Sequence, residues 1–143
     1  MKNIKTYEGF FDFFKKKSKY EPVSMENITD CLLDLIDESR IKFSLSDETK
    51  IFQIIQRDQN IVAFEIFYNS DQISDKEVSG ILDNCKYSLE SFDCKVIYQI
   101  HRFDYEFSDF NQMIDEFYID SPFKIGSNRS IILKIKALGG IEE

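Results

Sequence analysis

Apolar and polar positions alternate along this chain with two different periods, and the changes of period mark its elements. From Ser24 onward, Met25, Ile28, Cys31, Leu32, Leu35 and Ile36 recur at three- and four-residue spacing. That spacing predicts a helix capped by Ser24, with an acidic outer face of Glu26, Asp30, Asp34 and Asp37. At Ile41 the period shortens to two, with Ile41, Phe43 and Leu45 set against Lys42 and Ser44. Residues 50–56 and 61–68 are further β-like runs, and the polar stretches 46–49 and 57–60 read as the turns of two hairpins. Ser74-Asp75-Lys76-Glu77 has the form of a capping box. It opens the clearest amphipathic pattern in the chain, with Val78, Ile81, Leu82, Cys85, Leu89 and Phe92 on one face. Residues 94–107 read as extended. Ser108 is placed to cap a short helix carrying Phe110, Met113, Ile114 and Phe117, which Ser121-Pro122 ends. Ile131, Leu133, Ile135 and Ala137 alternate with Ser130, Ile132, Lys134 and Lys136, the mark of a last half-buried strand. The order predicts an α+β fold, an open two-layer sandwich in which a mostly antiparallel sheet of about five strands is covered by helices.

Ahead of this body stands a segment of different character. Thr6 to Lys17 reads as an N-terminal amphipathic helix capped by Thr6, with Glu8 in its first turn and Lys15, Lys16 and Lys17 in its last, the order that suits the helix dipole. Tyr7, Phe10, Phe11, Phe13 and Phe14 cover more than half its circumference, so the rings require a surface to bury against. The chain therefore divides into a Phe-rich head, residues 1–20, and an α+β domain, residues 21–143. Three destinations compete for the head: the domain's own sheet or helices, another protein or a second copy of this one, and a membrane surface.

Charge sharpens that division. The net charge of -8 is unevenly spread: the first 20 residues hold six lysines against Glu8 and Asp12, a net of +4, which leaves -12 on the remainder. An acidic body is repelled by phosphates, so nucleic acid is not an expected partner, although the same acidity could imitate nucleic acid in another protein's basic groove. No apolar run approaches the roughly 20 residues of a membrane span. Without a secretory signal pattern, a cytoplasmic setting is expected. Cys31, Cys85 and Cys94 are odd in number and lack metal-knuckle or redox spacing, which predicts reduced thiols.

Candidate chemistry is sparse. The single histidine, His101, adjoins Arg102 and Asp104 and could anchor a small enzyme's site, but no nucleophile or orienting carboxylate can be assigned to it from spacing. The adjacent carboxylate pairs have no surroundings that would separate their acidities, and no glycine-rich phosphate loop occurs. Catalytic residues, metal ligands and cofactors are therefore not expected. A protein-binding module acting through Tyr7, Phe10, Phe11, Phe13, Phe14, Lys15, Lys16 and Lys17 is the leading expectation.

The opening MKNIKTYEGFFDFFKKK, with the acidic helix and hairpin pattern of ENITDCLLDLIDESRIKFSLS, resembles small proteins of tailed bacteriophages. Lys5-Thr6-Tyr7-Glu8-Gly9-Phe10 is similar to the start of the capsid-targeting peptides on internal head proteins of large tailed phages. Lys19-Tyr20-Glu21 stands where those peptides carry a small residue before the glutamate of a cleavage site. The resemblance implies a virion component or a modulator of a phage or host protein.

Overall fold

A computed structural model describes residues 20–46, 59–101, 103–122 and 125–142. The expected N-terminal helix at 6–17 and the β-like run at 50–56 lie outside the described residues.

The chain enters through β1 (Val23–Ser24) and a helix that Leu32 divides into α1 (Met25–Cys31) and α2 (Leu33–Asp37). The Ser24 side chain accepts from the Asn27 amide at 3.1 Å, as a cap should. Ile28, Leu32 and Leu35 are fully buried; the break turns Leu33 and Ile36 outward, so Ile36 leaves the face its spacing predicted. β2 (Ile41–Ser46) and β3 (Ile61–Asn69) then pair directly and antiparallel, from Ile41 opposite Tyr68 to Ser46 opposite Ala63. Those two runs are sheet neighbours, with β2 at the sheet edge, and residues 47–58 between them lie outside the described residues.

α3 (Asp75–Glu90) carries the predicted face inward through Val78, Leu82, Cys85 and Leu89, whereas Phe92 lies past its end and is exposed. Asp93, with φ of 56°, takes the left-handed turn that delivers the chain into β4 (Cys94–Ile100) within a few residues. The predicted single extended run 94–107 is broken. A turn at His101 sends the chain back as the short edge strand β5 (Glu106–Phe107), antiparallel to β4. α4 (Phe110–Ile114) is capped by Asp109, one residue later than expected, and continues as a five-residue π-turn, Asp115–Ile119. β6 (Asn128–Ala137) runs between β3 and β4, antiparallel to both, giving the strand order β2-β3-β6-β4-β5. β7 (Ile141–Glu142) pairs parallel with β1 in a separate ribbon. Gly139 is required beside that ribbon: a Cβ there would sit 2.2 Å from the Glu21 carbonyl oxygen.

The helices pack on one face of the antiparallel sheet, over Phe64 and Ile66 of β3, Ile131, Leu133 and Ile135 of β6 and Val96 and Tyr98 of β4. The opposite face is not the polar surface expected of a two-layer sandwich. Ile61, Ala63 and Ile97 are buried there, and Lys134 is only 7% exposed. Its ammonium meets Glu106 at 3.4 Å, which offsets part of the cost of burying a charge.

Candidate functional site

The head residues Tyr7, Phe10, Phe11, Phe13, Phe14, Lys15, Lys16 and Lys17, on which the expected docking segment rests, lie outside the described residues. Among the described residues, a second aromatic surface forms at the β5 edge of the sheet. The turn after β4 is closed by the Phe103 amide donating to the Ile100 carbonyl at 3.1 Å. It brings Phe103, Tyr105 and Phe107 round to the π-turn. There Asp120 N–H reaches the Asp115 carbonyl at 2.7 Å, five residues back. The wider turn points Phe117 at the three rings, with centroids 5.1 Å from Phe103, 5.6 Å from Phe107 and 6.5 Å from Tyr105. It also sends Tyr118 the other way, its hydroxyl bonded to the Ser130 backbone at 3.2 Å. Such π-turns interrupt ordinary helices at a cost, and they recur at functional sites.

This aromatic cluster is open to solvent. Phe103 is 43% and Tyr105 67% exposed. The stretch 103–120 that supplies it contains six carboxylates and no lysine or arginine. Apart from Glu106, which Lys134 engages, those carboxylates have no ion pair among the described residues. Exposed rings in a stretch rich in carboxylates can stack on apolar groups and attract cations both through their π faces and through the carboxylates.

Two clefts are lined by described residues. One, of about 410 Å³ at the Asn69 end of β3, is lined by Arg40, Lys42, Asn69, Gln72, Asn128 and Ser130. Its guanidinium is already engaged, since Arg40 pairs with Glu38 at 3.0 Å and Glu77 at 3.3 Å and donates to the Gln72 carbonyl at 3.1 Å. Hydrogen bonds from Arg40 in turn hold the Glu38 carboxyl below its usual range. Beneath the cleft, Arg129 reaches both oxygens of Asp75 at 3.2 Å and lies 4.4 Å over the Tyr118 ring. Tyr68 donates to Asp75 at 2.6 Å. The guanidinium groups of Arg40 and Arg129 are thus held by carboxylates and carbonyls of the fold. Glu77 likewise turns its carboxylate to Arg40, while its amide donates to Ser74 as the capping box predicts.

The second cleft, of about 370 Å³, is lined by Cys31, Asp30, Tyr87 and Phe92 among others. Burial, then the charges of Asp34 and Cys31, pushes the Cys85 thiol up to about 12. Burial, then Cys31 and Asp93, pushes Cys94 up to about 11, and burial followed by Asp30 raises Cys31. Thiols so shifted are poor nucleophiles at neutral pH. His101, expected within a strand, is exposed in the turn after β4, and it lines neither cleft; Arg102 lies outside the described residues and Asp104 is exposed. Among the described residues no group of three His, Cys, Asp or Glu side chains could hold a metal ion. Nor is any described helix long and apolar enough to cross a membrane.

Sequence reasoning missed the aromatic surface because Phe103, Tyr105 and Phe107 read as alternating residues of one strand, and Phe117 as a core residue of a regular helix. The signal that could have found it is the run of carboxylates interleaved with aromatics across 103–120. No family model, curated protein or solved structure matches the chain.

Proposed function

We propose that this protein is a non-enzymatic binding module that docks a cationic segment of a protein, bearing aromatic or large apolar side chains, on the carboxylate-rich aromatic surface beside β5. The observation that carries this reading is the exposure of Phe103 and Tyr105 where both meet the Phe117 ring, in a stretch with six carboxylates and no basic residue. Large exposed apolar groups packed together mark interaction sites far more often than they mark solvated surface. The likeness of the opening residues to tailed-phage proteins makes a virion component, or a modulator of a phage or host protein, the setting of this reading.

The test uses the full chain and a short synthetic peptide of alternating phenylalanine and lysine, with a matched peptide of serine and glutamate as control. Binding is expected at micromolar Kd for the first peptide only. It should weaken about tenfold or more, equivalent to about 1.4 kcal/mol, in the double variant Phe103→Ser, Tyr105→Ser, and should weaken again at high salt. Both substitutions are at exposed positions, so the melting temperature should barely move. Equal binding by the double variant, or no binding by the Phe-Lys peptide, would remove the reading.

A further inference from the structure

We propose that the cleft at the Asn69 end of β3 binds a small phosphate monoester whose alcohol carries a flat ring. The two-residue period of the strands assembles its floor. Tyr68 and Ile131 belong to the helix-facing core, so Phe67 and Asn69 of β3 and Asn128 and Ser130 of β6 share the other face, with Lys42 of β2 opposite Phe67. All five line the cleft, and its volume of about 410 Å³ is that of a small-ligand site.

The wall offers hydrogens more than lone pairs. The Asp71 amide can only donate, so the Asn69 atom it meets at 2.8 Å is Oδ1, and Nδ2 of the same side chain donates to Asn128 Oδ1 at 3.0 Å. Both carboxamide oxygens are thereby taken, and Asn128 Nδ2 has no acceptor among the described residues. Arg40 adds a further donor. Glu38, Glu77 and the Gln72 carbonyl fix its guanidinium, and Nη1, with two hydrogens, gives only one of them to that carbonyl. Lys42 is exposed and has no ion pair among the described residues. In a chain with 26 acidic residues, no carboxylate among the described residues lines this cleft. Glu38, Glu77 and Asp75 instead turn theirs to Arg40 and Arg129.

Donors that converge from β2, β3 and β6 suit a tetrahedral group with several acceptor oxygens better than a planar carboxylate, and a charged acceptor strengthens each bond. Phe67, half-buried between Lys42 and Ser130, supplies an apolar face on which a flat ring can stack. A nucleic acid would extend past the cleft onto the acidic surface that repels it, whereas a monoester ends inside.

Calorimetric titration of the full chain tests this with phenyl phosphate, inorganic phosphate and benzoate as probes. Phenyl phosphate should bind with a submillimolar Kd. Inorganic phosphate, which lacks the ring, and benzoate, which lacks the tetrahedral oxyanion, should each bind about fivefold more weakly or worse. Lys42→Glu should weaken phenyl phosphate by about tenfold or more. Lys95 is also exposed, and it lies on the same sheet face at the far end, beside Lys136. Lys95→Glu makes the same charge change there and should leave binding within about twofold, which separates the cleft from the overall charge of the chain. If Lys42→Glu fails to fold, Lys42→Met, which keeps the alkyl stem and removes the charge, takes its place. The inference is overturned if phenyl phosphate shows no saturable binding, if both lysine variants lose binding equally, or if inorganic phosphate or benzoate binds as tightly as phenyl phosphate.

Discussion

Tyr98 is buried on the helix-facing side of β4, with the Phe110 ring edge-on at 5.6 Å. Its hydroxyl has no hydrogen-bond partner among the described residues. Burial raises the pKa of that phenol, so the group stays neutral, but a neutral hydroxyl left unpaired still forfeits its hydration. The ring supplies the packing and the oxygen supplies only the cost. Tyr98→Phe should therefore leave stability unchanged or raise it by about 1 kcal/mol, read from the urea midpoint at constant m-value. A clear loss would show that the hydroxyl has a partner after all, most simply an ordered water.

At the scale of elements, the described helices and the sheet are tied by one polar knot. Asp75 opens α3, Tyr68 lies on β3, Arg129 on β6, and Tyr118 on the π-turn that follows α4. Arg129 is 7% exposed, so removing its carboxylate leaves a buried guanidinium with no opposite charge. Asp75→Ala should cost about 3 kcal/mol, at the low end for broken buried pairs because Asp75 itself is 21% exposed. Denaturant unfolding measures it, and a loss below about 1 kcal/mol would mean that water replaces the carboxylate readily. The knot also shows what element-level reading can and cannot reach. Ser74 and Asp75 were visible as the start of α3 because capping depends on residues a few positions apart. The partnership of Asp75 with Arg129 spans 54 residues and has no local signature.

The molecule as a whole carries several buried acids of one kind. Cys31, Cys85, Cys94, Tyr68, Tyr98 and Tyr118 all have raised values, each chiefly through burial. In the unfolded chain the thiols ionise near 9 and the phenols near 10, while in the folded chain they remain protonated at higher pH. The unfolded state then binds fewer protons than the folded state, so stability falls as pH rises. The contribution is fully present below the unfolded values and is lost through the folded ones. Unfolding free energy should thus be flat toward neutral pH from these groups and decline above about pH 9. Unfolding free energy that stays level from about pH 9 to about pH 11 would contradict this. The same protonated thiols should react with a thiol reagent mainly after unfolding.

By itself the sequence determined the elements whose signals are local. α3 follows from its capping box and its apolar stripe, β3 from a continuous β-like run, β6 from its two-residue period, and the α+β class from the order of the periods. Tertiary structure alone decided which strands pair. β2 meets β3 directly, and β6 enters between β3 and β4, since strand order is set by the apolar area that distant segments bury together. It also decided the surface at the β5 edge. Phe103, Tyr105 and Phe107 meet Phe117 only because the chain turns at His101 and the following helix widens into a π-turn. Spacing along a chain records which face a residue takes within its own element; it does not record which other element that face will meet.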